Sequence, residues 1–274
     1  MTENYEHIIL GSENLSIGYT FKKRQTLIAR DINISLEKGK FVCLLGKNGI
    51  GKSTLLRTIS KVQPSLSGDF FIENKKIEQI SAQALAQRMS LVLTERIPES
   101  NLTVYELIAL GRQPYTNWIG SITVQDEQYI QQAIERVNIE SLQSRKCDEL
   151  SDGQLQKIMI ARALAQNTEL IILDEPTAHL DIHHKIEVFN LLQTLVRELG
   201  KTIITSTHEV QLALQLADTL WLMTEQKFTS GETQDLINNG SLDTLFSSEL
   251  VEFDSKTKQF IVKNLNKFLL LGTQ

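Results

Sequence analysis

Gly46-Lys47-Asn48-Gly49-Ile50-Gly51-Lys52-Ser53 fits the pattern G-x-x-x-x-G-K-[ST], the signature of a phosphate-binding P-loop. Its glycines let the backbone turn sharply and approach a phosphate without a Cβ clash. Backbone N–H groups then converge on the anion, and the following helix, beginning around Thr54, adds partial positive charge at its N-terminus. Lys52 is placed to reach the terminal phosphates, and the Ser53 hydroxyl to ligate Mg²⁺. A second chemical pair, Asp174-Glu175, ends an apolar run. Asp174 stands where phosphoryl transfer needs a carboxylate in the Mg²⁺ shell. Glu175, the next residue, projects differently and can polarise an attacking water. An acidic strand end alone would say little; its place after the P-loop and a capped helix gives it weight.

These groups need elements to hold them. Phe41-Val42-Cys43-Leu44-Leu45 reads as a buried parallel strand feeding the loop, and Thr54 to Ile59 as the helix leaving it. Upstream, Leu15 to Tyr19 and Ile32 to Leu36 alternate apolar and polar residues as strands do. Asp69 to Ile72 and Met89 to Leu93 are further strands, with a helix over Ala82 to Arg88. The texture turns helical from Asn101 to Gln143. Thr103 with Glu106 makes a capping box, and Ile130, Ala133, Ile134 and Val137 share one helical face. Between them, Gly111 to Gly120, bearing glycines and aromatic residues, reads as a loop. Ser151 with Gln154 caps a long helix, after which come the strand into Asp174, a helix over Asp181 to Leu199, a β-branched strand leading to His208, and a strand at Thr219 to Met223. His179, His183 and His184 cluster locally; His179 and His183, four apart, would suit a metal only if both lay on helix, and with no Cys or third ligand evident a solvated surface is the favoured reading.

Composition narrows the class. At 274 residues with 41% hydrophobic content, the chain can build one large domain or a domain with a subdomain. A net charge of −5 argues against a nucleic-acid binder. Cys43, in the apolar run before the P-loop, reads as buried, and Cys43 and Cys147 read as reduced thiols rather than a disulfide framework or zinc site. No apolar run reaches the length of a membrane span, and the acidic first ten residues do not read as a signal peptide. Any membrane connection is expected through a partner.

Taken together, the motifs over residues 12–230 resemble the nucleotide-binding subunit of an ATP-binding cassette (ABC) transporter. Leu150-Ser151-Asp152-Gly153-Gln154 is similar to that family's signature motif, with Asp152 in place of the usual first glycine, and Pro176 to Asp181 resembles its D-loop. The resemblance implies an α/β P-loop fold with a RecA-like parallel sheet, an N-terminal antiparallel β-subdomain and an inserted helical subdomain. The α/β core would cover 1–94 and 151–230, the helical subdomain 95–150, and a C-terminal extension 231–274. It implies Mg-ATP held by the P-loop from Gly46 to Thr54, including Lys47 where proline is commoner, with Tyr19 stacking on adenine. Glu175 would be the base, His208 the γ-phosphate switch residue, and Ser151, Gly153, Gln154 and Asp181 would face the nucleotide of a second, head-to-tail copy. The family's usual glutamine after the strand ending at Leu93 is missing. Glu95 is aligned to that position, as a ligand to Mg²⁺ and the attacking water, with Thr94 the alternative.

Asn101 to Tyr115 is similar to the helical subdomain of importers for iron–siderophore, haem and cobalamin. An ATP-hydrolysing importer subunit is therefore expected, peripheral at the cytoplasmic face of the inner membrane, acting on membrane permease subunits and indirectly on a substrate-binding protein. A soluble non-transport ABC ATPase acting on a macromolecular complex is the alternative.

Overall fold

The computed structural model describes residues 7–22, 24–93, 101–117, 120–245, 251–254 and 257–262. In chain order its strands are β1 (Ile8–Phe21), β2 (Arg24–Glu37), β3 (Phe41–Gly46), β4 (Ser67–Ile72), β5 (Lys75–Lys76), β6 (Met89–Val92), β7 (Leu170–Asp174), β8 (Thr202–Ser206), β9 (Thr219–Met223), β10 (Phe228–Glu232), β11 (Val251–Asp254) and β12 (Gln259–Val262). The helices are α1 (Lys52–Ile59), α2 (Ala82–Ala86), α3 (Val104–Ala109), α4 (Val124–Arg136), α5 (Asp152–Ala165), α6 (Ile182–Leu199), α7 (Val210–Leu216) and α8 (Thr233–Asn238).

A six-stranded sheet runs β10-β9-β3-β8-β7-β6. Its pairings are parallel from β9 through β6, and β10 joins the edge antiparallel to β9. Period-two alternation splits β3 between two cores. Phe41, Cys43 and Leu45 pack with the α5, α6 and α7 side chains, while Val42 and Leu44 pack with α1 and an antiparallel sheet. That second sheet has the order β2-β1-β4-β5. In β2, Ile32, Ile34 and Leu36 are buried and Asn33, Ser35 and Glu37 exposed, the pattern of a sheet with one face on the core.

The described part of the stretch between β6 and α5 is helical. Both longer helices there start in capping boxes, Thr103 with Glu106 and Thr123 with Asp126. The first half of the expected Gly111–Gly120 loop is instead a 3₁₀ helix continuing α3 (Leu110–Tyr115) with Arg112 buried; Thr116 and Asn117 follow without helix, and residues 118 and 119 lie outside the described residues. The Arg112 guanidinium lies 4.0 Å from the Tyr115 ring centroid and 4.5 Å from that of Tyr129. It donates to Asp126 Oδ1 and to the Ala165 carbonyl, both at 2.8 Å. Gly111 lies against the Arg162 carbonyl with no room for a Cβ. Backbone proximity and a satisfied charge, neither of which shows in local pattern, turn the stretch into a structural staple between α3, α4 and α5.

Candidate nucleotide-binding site

In a parallel sheet the carboxyl ends of neighbouring strands share one edge, and ligands bind there. Here Gly46 ends β3, Asp174 ends β7 and Ser206 ends β8, the strand between them. Asp174 and Ser206 are register partners, as are Leu44 and Ser206. The P-loop and the carboxylate pair therefore meet because of sheet order.

Gly49 and Gly51 both have positive φ, 74° and 110°, a region that strains any residue bearing a Cβ. A Cβ on Gly51 would also collide with Ile28, and one on Gly46 would come within 2.6 Å of the Met223 carbonyl. Gly51 is the N-cap of α1, so the loop delivers the N-terminus of that helix to the same edge. Lys47, Asn48 and Gly49 are exposed on the turn, whereas Lys52 is 4% exposed. Lys52 Nζ donates to the carbonyls of Gly46 at 3.1 Å and Lys47 at 3.3 Å. It lies 3.2 Å from His208 Nε2 and 3.7 Å from Glu175 Oε1. Burial, the largest effect, lowers its pKa from the ordinary lysine range, against the pull of Glu175 and Asp174.

Ser53 Oγ donates to Asp174 Oδ1 at 3.0 Å, and Ser206 Oγ donates to the same oxygen at 2.7 Å. Ser206 Oγ also accepts from the Glu175 N–H at 2.9 Å. Glu175 leaves the strand with φ 48°, an uncommon left-handed conformation outside glycine, and its Oε1 lies 2.9 Å from His208 Nε2. Adjacent carboxylates thus diverge, one toward Ser53 and the other toward Lys52 and His208. A hydroxyl beside a carboxylate is a hard-oxygen donor set suited to Mg²⁺, and the glycine turn leaves backbone N–H groups open to phosphate; the residues present fit both.

Thr54, buried in the first turn of α1, shares a 2.6 Å hydrogen bond with the Tyr19 hydroxyl. Tyr19 is 49% exposed, so its phenol is tethered to the P-loop helix while the side chain stays accessible.

The other expected site residues gather around a residue the sequence did not single out for this role. Ser151 caps α5, its Oγ accepting from the Gln154 N–H at 3.3 Å while Gln154 Oε1 accepts from the Ser151 N–H at 3.2 Å. Asp152 is exposed in the first turn, and Gly153 is buried. Asp181 caps α6, accepting from the His184 N–H at 3.0 Å and from His184 Nδ1 at 2.8 Å. The His184 ring in turn rests on Gly153. Of the three clustered histidines, His179 and His183 are exposed, His183 at 78%, and His184 is partly buried. Among the described residues no group of three or more His, Cys, Asp or Glu forms a metal cluster. Thr94 and Glu95 lie outside the described residues.

Ser206 was also missed. Its only sequence signal was a hydroxyl closing a β-branched strand that neighbours the carboxylate strand.

The family model described as ABC transporter matches residues 29–178. The achromobactin transport ATP-binding protein CbrD of Dickeya dadantii is 37% identical, covering 86% of this chain and 87% of its own. The iron(3+)-hydroxamate import ATP-binding protein FhuC of Bacillus subtilis is 38% identical over 76% of each chain. Among solved structures, a chain from an inward-facing ABC transporter of the metal-chelate type superposes with a TM-score of 0.77 at 28% identity, covering 96% of this chain and 99% of that one. Among the described residues no helix is long and apolar enough to cross a membrane. By that family match and those relatives, the chain belongs to the ABC transporter family as an ATP-binding, ATP-hydrolysing subunit.

Proposed function

We propose that this chain powers an importer of iron–siderophore complexes, haem or cobalamin. It works as a head-to-tail dimer around two Mg-ATP, peripheral at the cytoplasmic face of the inner membrane. It acts on integral permease subunits that receive cargo from a substrate-binding protein. The observation that carries the reading is the division of labour between adjacent carboxylates, Asp174 bonded to Ser53 and Glu175 facing Lys52 and His208. The siderophore class is supported by what CbrD and FhuC are named for.

In this reading Lys52 exchanges its bonds to Gly46 and Lys47 for the β- and γ-phosphates of ATP. Tyr19 stacks on the adenine. Mg²⁺, which the Ser53 hydroxyl and the Asp174 carboxylate would hold, supplies positive charge at the phosphate oxygens. Glu175 accepts the proton of the attacking water, and His208 holds that carboxylate in place and senses the γ-phosphate. Ser151, Gly153 and Gln154 at the N-terminus of α5, with Asp181, face the nucleotide of the partner copy, where converging N–H groups favour an anion.

Purification from detergent-solubilised membranes tests this. An integral membrane protein should be recovered with the chain, and adding it back should stimulate ATP hydrolysis. Recovery with ribosomes or another soluble assembly, and no membrane protein, would favour the non-transport alternative.

A further inference from the structure

We propose that His184 is a positioning residue that sets the spacing between Asp181 and the signature turn, so that both reach the partner's nucleotide together; this rests on the dimer reading above. The imidazole has two working edges. Nδ1 is bonded to Asp181 Oδ2 at 2.8 Å, next to the 3.0 Å bond from the His184 N–H to the other carboxylate oxygen. The opposite edge lies on Gly153, where an added Cβ would stand 2.7 Å from Cδ2 and 3.3 Å from Nε2. Glycine at 153 is therefore required by this ring, independently of any phosphate.

The same faces of the two helices carry a second tie. Gly153 and Lys157 are four residues apart on α5, and His184 and Glu187 three apart on α6, so each pair lies on one helical face. Lys157 Nζ and Glu187 Oε2 are 2.9 Å apart. Glu187 Oε1 also lies 3.7 Å from His183 Nδ1. α6 follows the carboxylate strand β7, while α5 opens at the signature residues, so the ring bridges the two elements that carry Asp181 and the signature turn. Without its far edge, the N-terminus of α5 can settle toward α6, and the N–H groups at its start lose their setting relative to Asp181.

The test separates the two edges. Asn at 184 can place its amide nitrogen where Nδ1 stands, keeping the bond to Asp181 while removing the contact to Gly153. In a Glu175→Gln background, used to trap the ATP-bound dimer, His184→Asn should raise the ATP concentration for half-dimerisation about tenfold, measured by size exclusion with light scattering. Binding of a fluorescent ATP analogue to the monomer and the monomer's melting temperature should stay close to those of Glu175→Gln alone. Gly153→Ala should lower the melting temperature of the otherwise native chain and lower it much less in a His184→Ala background. Equal half-dimerisation concentrations with and without His184→Asn would overturn the proposal, as would an equal Gly153→Ala penalty in both backgrounds. Failure of Glu175→Gln itself to dimerise would overturn the dimer reading and this inference with it, an outcome distinct from failure of the double variant alone.

Discussion

Ser53 donates its hydroxyl to Asp174 over 3.0 Å although 121 residues separate them. The bond joins the last residue of the P-loop motif to the end of a strand two places along the sheet. Lys52, beside Ser53, is nearly buried and already engaged by its own loop. Lys52→Ala should therefore weaken ATP binding and turnover together by removing the charge that meets the phosphates. Titration with a fluorescent ATP analogue and steady-state ATPase rates check it; a change in rate with binding intact would contradict the assignment.

Glu175→Gln should retain ATP binding and lose hydrolysis by about 10²- to 10⁴-fold, since an amide cannot accept the proton from water. The ATP-bound dimer should accumulate. A near-normal rate of phosphate release would place the base elsewhere.

Ser151→Ala should reduce ATP-driven dimerisation more than folding. It removes one N-cap bond, worth about 1 kcal/mol, from the start of α5. Light scattering with ATP, set beside a urea unfolding curve, compares the two effects; unchanged dimerisation would remove Ser151 from the interface.

Glu95 is proposed to take the place of the family's glutamine. Glu95→Gln should stay active, whereas Glu95→Ala should lose partner-stimulated turnover while still binding ATP. The nearby phosphates and carboxylates make an additional carboxylate depend on Mg²⁺ for charge balance. ATPase assays across Mg²⁺ concentration with the membrane partner present check this. Wild-type behaviour of Glu95→Ala would pass the role to Thr94 or to no residue.

Asp126→Asn should expose the buried pair with Arg112, both side chains 5% exposed or less. Burial pushes the Asp126 carboxyl up, but bonds from Thr123 and Arg112 outweigh it and hold its pKa below the ordinary value. Its contribution to stability is thus complete above the unfolded pKa of about 3.9 and lost as pH falls through the lower folded value. The Asn variant should be about 3 kcal/mol less stable at neutral pH, because it leaves Arg112 buried without its partner. It should also show a shallower loss in acid. Urea unfolding midpoints at neutral pH and near pH 3 measure both.

Much was determined within a few residues of chain. The glycine spacing of the P-loop, the i to i+3 caps at Thr103 and Ser151, and the alternation of Ile32 to Leu36 are local signals, and the structure has these elements. Asp174 and Glu175 close an apolar run, but it was their place after the P-loop and a capped helix that made them legible. What tertiary structure alone decided was which distant groups share an atom. Ser206 meets Asp174 because parallel register sets β8 beside β7, and a register is a property of two strands. Arg112 is buried because Tyr115 of its own 3₁₀ turn and Asp126 and Tyr129 of α4 surround it. His184 lies on Gly153 because the start of α6 is packed beside the start of α5, so a ring that sequence spacing assigns to solvent rests one edge on another helix. Periodicity tells which face of an element is apolar; only packing tells which partner that face receives.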